Sequence, residues 1–243
     1  MEHRGVSRAR EAIILAGGFG TRLRDLFPDT PKPLVPVRGV PFLHYILHWL
    51  ERQGIQRVIV CTGHLAAKVE AELARFGGRL ELTSLREESP LGTGGAIYRA
   101  LGKVRGERAF ALNGDTYFPA DLAAIEAAAR RLGTDLAVAL RHVDDTSRYG
   151  AVTVEAGRIR AVNEKARGGP GLINAGLYLL PATLPARVPM PAIFSWETDL
   201  LQPKAVELGF AGVAADVPFL DIGTPESYSL AESVLPVLPV PQR

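Results

Sequence analysis

The run Ala12-Ile13-Ile14-Leu15-Ala16, followed at once by Gly17-Gly18-Phe19-Gly20-Thr21-Arg22, constrains the chain more than any other segment. A continuous apolar stretch rich in β-branched residues suits a central strand covered on both faces. It breaks into a Gly- and Pro-rich stretch reaching Pro41. That is long for a loop, and long ordered loops tend to carry function. The glycines let the backbone approach a ligand closely and turn its N–H groups inward. Arg22 adds a planar charged fork suited to phosphate oxygens. Lys32 follows in Pro31-Lys32-Pro33, where the prolines stiffen the backbone that presents it. The pattern reads as a polyphosphate cradle with two cations.

The rest of the chain supplies a sheet for this loop. Helices are predicted over 42–53, 66–76, 95–101 and 121–132, and strands over 12–16, 57–62, 80–85, 109–113 and 136–140. This alternation predicts an α/β fold: a Rossmann-like, mostly parallel central sheet with helices on both faces. After Arg141 the pattern changes. A hairpin over 151–162, a strand over 172–180, a helix near Trp196 capped by Ser195, a short strand over 217–220 and a helix over 225–234 form a small antiparallel accessory portion. The whole reads as a single domain over 1–243. Its first half covers about 10–140, its second about 141–235, and a Pro-rich tail 236–243.

Composition narrows the partners. Lys+Arg 28 against Asp+Glu 26 leaves a net charge of +2, which gives no electrostatic footprint for nucleic acid. The single cysteine, Cys61, excludes an internal disulfide framework and a cysteine-rich zinc site. No apolar run approaches the roughly 20 residues that span a bilayer. The charged N-terminus lacks the apolar core of a secretory signal. The expectation is a cytoplasmic protein that does not bind membrane, with homo-oligomerisation left open.

Other readings of the glycine loop fit less well. A Walker-type loop needs Lys and then Ser or Thr after its last glycine, and here Thr21-Arg22 follows Gly20. A dinucleotide fingerprint needs a third glycine where Leu23 stands, and an acidic residue closing the next strand, where Cys61-Thr62-Gly63-His64 offers none. A plain surface turn leaves Arg22 and the Pro-Lys-Pro segment unexplained.

The segments Leu15-Ala16-Gly17-Gly18-Phe19-Gly20-Thr21-Arg22-Leu23-Arg24 and Pro31-Lys32-Pro33 resemble the signature of the sugar-1-phosphate nucleotidyltransferases, or nucleotide-sugar pyrophosphorylases. Further segments match the family's motifs in the family's order: Pro90-Leu91-Gly92-Thr93-Gly94-Gly95, Asn113-Gly114-Asp115, Arg148-Tyr149-Gly150, Asn163-Glu164-Lys165, Asn174-Ala175-Gly176 and Asp221-Ile222-Gly223-Thr224-Pro225. Within the family, the 223–228 closure, the 90–96 segment and Phe194-Ser195-Trp196-Glu197 look most like guanylyltransferases acting on D-glycero-α-D-manno-heptose 1-phosphate. Mannose-1-phosphate guanylyltransferases, uridylyl- or thymidylyltransferases, and a non-catalytic nucleotide-sugar sensor are the rivals.

The resemblance implies a glycosyltransferase-A-like fold with a nucleotide-binding half over about 10–140 and a sugar-phosphate-binding half over about 141–235. It also implies attack of a sugar 1-phosphate oxygen on the α-phosphorus of a nucleoside triphosphate, with loss of pyrophosphate. The nucleophile is already an anion, so catalysis rests on positioning and charge neutralisation. By resemblance, Asp115 and Asp221 hold Mg²⁺, to which hard carboxylate oxygen is suited. Arg22 binds the triphosphate, and Lys32 lies near the transferred phosphate. Leu15, Ala16, Gly17, Gly18, Gly20, Thr21, Glu87, Glu88, Pro90, Gly92 and Thr93 surround the nucleotide. Lys165 binds the sugar's phosphate, Glu164 accepts from sugar hydroxyls, and Asn113, Gly150 and Asn174 are further sugar contacts. Glu87-Glu88 stand where the family reads the base. A carboxylate can accept guanine's adjacent N1–H and N2–H₂ together, so GTP is favoured. His44 and His48 are read as a helix face without a third metal ligand, and Cys61 as a small buried hydrophobe.

Overall fold

The computed structural model describes residues 8–18, 21–23, 25–147, 150–163 and 168–239. In chain order the elements are β1 (Glu11–Ala16), β2 (Pro36–Val37), β3 (Val40–Pro41), α1 (Phe42–Arg52), β4 (Arg57–Thr62), α2 (Ala66–Leu73), β5 (Glu81–Arg86) and α3 (Gly92–Leu101). Next come β6 (Arg108–Asn113), β7 (Thr116–Tyr117), α4 (Leu122–Arg131), β8 (Ala137–Val143), β9 (Ala151–Glu155), β10 (Arg158–Asn163), β11 (Gly171–Pro181) and α5 (Leu184–Arg187). A π-helical turn (Trp196–Leu201) leads into α6 (Gln202–Lys204), β12 (Ala211–Ala214), β13 (Leu220–Asp221), α7 (Pro225–Ser229) and α8 (Ala231–Val234).

One nine-stranded sheet, in the order β5-β4-β1-β6-β11-β8-β12-β10-β9, carries both halves of the chain. The first four strands are parallel, as the alternating pattern predicts. The sheet as a whole is mixed rather than mostly parallel. β11 runs antiparallel to both β6 and β8, and β10 runs antiparallel to β12 and β9. The antiparallel portion is therefore continuous with the central sheet. The reason lies in β11, whose eleven residues are long enough to pair with β6 along one stretch and with β9 along another.

Two apolar layers cover the sheet. Ile14, Val58, Val60, Phe110 and Leu112 pack with α1, α2 and α4 on one face. Ile13, Ile59, Ala111, Val138 and Tyr178 pack with α3 and the 194–210 segment on the other. β1 is buried along almost its full length, which explains its unbroken apolar sequence. Asp121 caps α4 by accepting from the N–H groups of Ala123 and Ala124. Ser195 accepts from the Thr198 N–H, as expected of its sequence position, although the turn it opens is π-helical. The predicted final helix is two short ones: α7 is closed at its start by a reciprocal Thr224–Ser227 capping box, and α8 follows it. Among the described residues no helix is long and apolar enough to cross a membrane.

Candidate functional site

Strands β1 and β6 are parallel neighbours, so their C-terminal ends open on the same edge of the sheet. Ligands in open α/β sheets bind outside such ends. β1 delivers Gly17 and Gly18 there, and Arg22 follows in a short 3₁₀ helix, Thr21–Leu23. β6 delivers Asn113 and, one tight turn later, Asp115. Gly114 makes that turn possible: its N–H donates to the Leu15 carbonyl at 2.9 Å, and a Cβ there would stand 2.5 Å from that oxygen. β7 then pairs antiparallel with β13, in a register that sets Thr116 opposite Asp221. The Ile222 N–H donates to the Asp115 carbonyl at 3.0 Å. Two aspartates far apart in sequence are thereby brought to one place.

Lys32 joins them. It opens a short 3₁₀ helix, Lys32–Leu34, behind Pro31. Its Nζ lies 2.5 Å from Asp115 Oδ2 and 3.8 Å from Asp221 Oδ1. Asp115 Oδ1 also accepts from Thr116 Oγ1 at 3.2 Å. The lysine side chain is mostly buried, at 15 % exposed, while the two carboxylates keep 34 % and 37 % of their surface open. A cation thus already bridges the aspartates, and their open surfaces leave room for phosphate oxygens beside it.

Two adjoining cavities flank this cluster. The larger, about 500 Å³, is lined by Leu15, Ala16, Gly17, Gly18, Arg22, Lys32, Glu87, Pro90, Gly92, Thr93, Asn113 and Asp115, with Pro33, Ala96, Glu197 and Gly223. The smaller, about 240 Å³, is lined by Asn113, Thr116, Gly150, Asn163, Asn174, Gly176, Glu197, Thr198, Gln202, Phe219 and Asp221, among others. The residues expected at the nucleotide thus gather around the first cavity. Asn113, Gly150, Asn174 and Asp221, expected at the sugar, gather around the second. Glu88 lies apart from both, on a neighbouring recess with Gly63, His64 and Arg86. Thr21 sits in the 3₁₀ helix beside Arg22. Gly20, Arg148, Tyr149, Glu164 and Lys165 lie outside the described residues.

Two expected contacts are also structural. Glu87 Oε2 accepts from the Leu91 N–H at 3.1 Å, which ties the carboxylate to the turn before α3. Asn174 is engaged at both ends of its amide: Nδ2 donates to the Tyr178 hydroxyl at 2.7 Å, and Oδ1 accepts from the Gly176 N–H at 2.9 Å. These bonds hold an irregularity in β11, where its register against β8 shifts between Asn174 and Tyr178. Burial raises the Tyr178 phenol well above its usual range, so it remains protonated. Burial likewise pushes the Cys61 thiol up to about 12, in keeping with an inert residue on β4.

Glu197 was given no role by sequence reasoning, although the Phe-Ser-Trp-Glu segment containing it stands out. The available signal was a carboxylate next to a tryptophan at a predicted helix start. Trp196 is fully buried and fixes the turn, while Glu197 lines both cavities.

Among the described residues no cluster of three or more His, Cys, Asp or Glu side chains could enclose a metal. The donor set instead suits a hard divalent cation that takes one or two carboxylates and leaves its other positions to water and substrate phosphates. Asp115 and Asp221 are two carboxylates that could offer hard oxygen ligands, and they already share the positive charge of Lys32.

Comparison with known proteins gives a consistent answer. Residues 11–234 match the nucleotidyl transferase family. The chain is 38% identical to the D-glycero-alpha-D-manno-heptose 1-phosphate guanylyltransferase of Aneurinibacillus thermoaerophilus, covering 93% of this chain and 98% of that protein. It is 36% identical to a mannose-1-phosphate guanylyltransferase of Mycobacterium tuberculosis, over 90% of this chain but 62% of that longer protein. The crystal structure of HddC from Yersinia pseudotuberculosis complexed with GMP-PN superposes with a TM-score of 0.81 at 33% identity, covering 92% of this chain and 98% of that one. With a family match running from β1 to α8, the chain belongs to the nucleotidyl transferase family and is a nucleotidyltransferase.

Proposed function

We propose that this enzyme transfers a guanylyl group from GTP to D-glycero-α-D-manno-heptose 1-phosphate, forming a GDP-heptose and pyrophosphate with Mg²⁺ as cofactor. The observation that carries the reading is the convergence of Asp115 and Asp221 on Lys32 where the two cavities adjoin. The sugar follows from the 38% identical relative, nearly all of whose length this chain covers. Residues of about 10–140 form the nucleotide half, and those of about 141–235 the sugar-phosphate half.

In this reading a phosphate oxygen of the sugar 1-phosphate forms a bond to the α-phosphorus of GTP. The bond from that phosphorus to the bridging oxygen breaks, and pyrophosphate leaves with its electron pair. The attacking oxygen is already anionic, so the residues need not remove a proton. Gly17 and Gly18 let the backbone approach the triphosphate, and Arg22 offers it a charged fork. Lys32 places a positive charge between Asp115 and Asp221, close to the transferred group. Its value is electrostatic: a preorganised charge is worth more in a partly enclosed cleft than in water. Mg²⁺ held by Asp115 and Asp221 would neutralise phosphate charge and help align the two substrates. Glu87, which faces the larger cavity, would accept the paired N–H donors of guanine. Lys165 and Glu164 complete the sugar side of the proposal.

The test is a pyrophosphate-release assay crossing GTP, UTP, dTTP and CTP with heptose, mannose and glucose 1-phosphates. Highest kcat/KM for GTP with the heptose 1-phosphate is the expected result. A clear preference for a pyrimidine triphosphate would refute the base assignment.

A further inference from the structure

Among the described residues, Asn113 and Glu197 are the two that line both cavities. Asn113 is neutral. Glu197 is a carboxylate facing a cleft read here as receiving two phosphate-bearing substrates. A negative charge there is unfavourable unless a hydroxyl or N–H meets it. Its two oxygens are not equivalent. Oε2 accepts from Thr93 Oγ1 at 2.7 Å and from Ser195 Oγ at 3.3 Å. Thr93 Oγ1 itself accepts from the Trp196 N–H at 2.9 Å, so its proton is committed to Glu197. Oε1 receives no hydrogen bond among the described residues. The carboxylate is thus held from one side with an acceptor to spare.

The turn carrying Glu197 belongs to the sugar side. Thr198, Leu201 and Gln202 line the smaller cavity, and none of them lines the larger one. Glu197 therefore stands at the end of the sugar cavity nearest the nucleotide, where the anomeric phosphate must lie if the transfer reading above is right. Of the atoms next to C1, the ring oxygen carries no proton and C2 carries a hydroxyl. The two curated relatives described above both act, by name, on manno-configured sugars. In that configuration the 2-hydroxyl is axial, whereas in glucose it is equatorial.

We propose that Glu197 is a specificity-determining residue that accepts a hydrogen bond from the axial 2-hydroxyl of the sugar 1-phosphate. An acceptor clamped by Thr93 and Ser195 has a fixed position, so it would tell an axial hydroxyl from an equatorial one. The inference rests on the sugar-1-phosphate reading and adds a named contact to it.

The experiment measures kcat/KM with GTP for mannose 1-phosphate, glucose 1-phosphate and 2-deoxyglucose 1-phosphate, the last being the 2-deoxy analogue of both epimers. The wild-type enzyme should favour mannose 1-phosphate over the deoxy sugar by roughly 10- to 100-fold, the range for a hydrogen bond to a charged group. This arm needs no mutation. In Glu197→Ala the ratio should fall close to one, with the KM for GTP unchanged. Glu197→Gln keeps an oxygen for Thr93, protects the fold, and should give an intermediate ratio. A wild-type ratio retained in an active Glu197→Ala enzyme overturns the proposal alone. So does a changed preference between GTP and dGTP in place of a changed sugar ratio, because Glu197 would then be reading the ribose. Failure of the wild-type enzyme to use any sugar 1-phosphate, heptose 1-phosphate included, overturns the transfer reading and this proposal with it.

Discussion

Lys32 Nζ sits 2.5 Å from Asp115 Oδ2, although 83 residues separate them in the chain. Asp221 completes the group at 3.8 Å. The arrangement predicts a large loss of turnover when either carboxylate is neutralised. Asp115→Asn and Asp221→Asn keep the shape of each carboxyl but remove its charge. Each should lower kcat on the order of 10²-fold or more, the scale seen when one electrostatic stabiliser of a transition state is removed. Because both carboxylates are about a third exposed, thermal unfolding should shift little. Steady-state kinetics across a Mg²⁺ titration checks this. Full activity of either variant at any Mg²⁺ concentration would disprove the metal assignment.

Glu87 carries the base prediction. It lines the larger cavity while Glu88 does not. Glu87→Gln retains an oxygen for the Leu91 N–H, so the turn before α3 should survive. A guanine facing an amide loses one of its two paired acceptors and gains a clashing donor. The kcat/KM for GTP should fall roughly 10- to 100-fold relative to UTP. Glu88→Gln should leave that ratio nearly unchanged. Side-by-side turnover of the two nucleotides by both variants decides the matter, and equal effects at the two positions would remove Glu87 from base recognition.

The parts of the fold that could be read from sequence were those in which local pattern and tertiary role agree. β1 and β4 are apolar because both their faces are covered, so periodicity sufficed for them. β12 was not anticipated. Its sequence, Ala-Gly-Val-Ala, has little strand propensity, and it is a strand because it pairs with β8 in the interior of the sheet. The antiparallel reversal at β11 was equally hidden, since no local residue announces which neighbour a long strand will choose. At the site, family motifs located Asp115, Asp221 and Lys32, and the structure brings the three together. Glu197 escaped because its importance comes from the junction of two cavities, a property of the folded chain alone.

The Gly92-Thr93-Gly94-Gly95 segment has a packing role beyond its expected nucleotide contact. A Cβ on Gly94 would stand 2.1 Å from the Phe194 ring, and one on Gly95 would stand 2.4 Å from the Ala192 carbonyl oxygen. The Gly94 N–H donates to the Phe194 carbonyl at 3.0 Å. The start of α3 is therefore pressed directly against the strand of chain that leads to Glu197. Gly95→Ala meets rigid backbone rather than a flexible side-chain tip, and should destabilise the protein by about 1–3 kcal/mol. Urea unfolding should show a lower midpoint with an unchanged slope. An unaltered midpoint would mean that the 192–194 segment yields without cost.

His44 offers a prediction in pH. It lies on α1 with its side chain 5 % exposed, and its Nε2 is 2.9 Å from Glu72 Oε1 on α2. Burial lowers its pKa below 6.5, and His48 acts in the same direction, while Glu72 opposes both. The balance is downward, so the native protein holds His44 neutral at neutral pH. Below about pH 6.5 the unfolded chain takes up a proton that the native state resists. This group's contribution to stability is therefore complete above that pH and is lost as pH falls through the native pKa. Glu72→Gln sharpens the test. Removing the opposing carboxylate should lower the native pKa further and steepen the loss of stability between pH 6.5 and 5. His44→Gln, which cannot titrate, should flatten that part of the curve. Denaturant unfolding at half-unit pH steps would show both effects. A wild-type curve that falls no more steeply over this range than that of His44→Gln would mean that the ion pair, and not burial, controls this histidine.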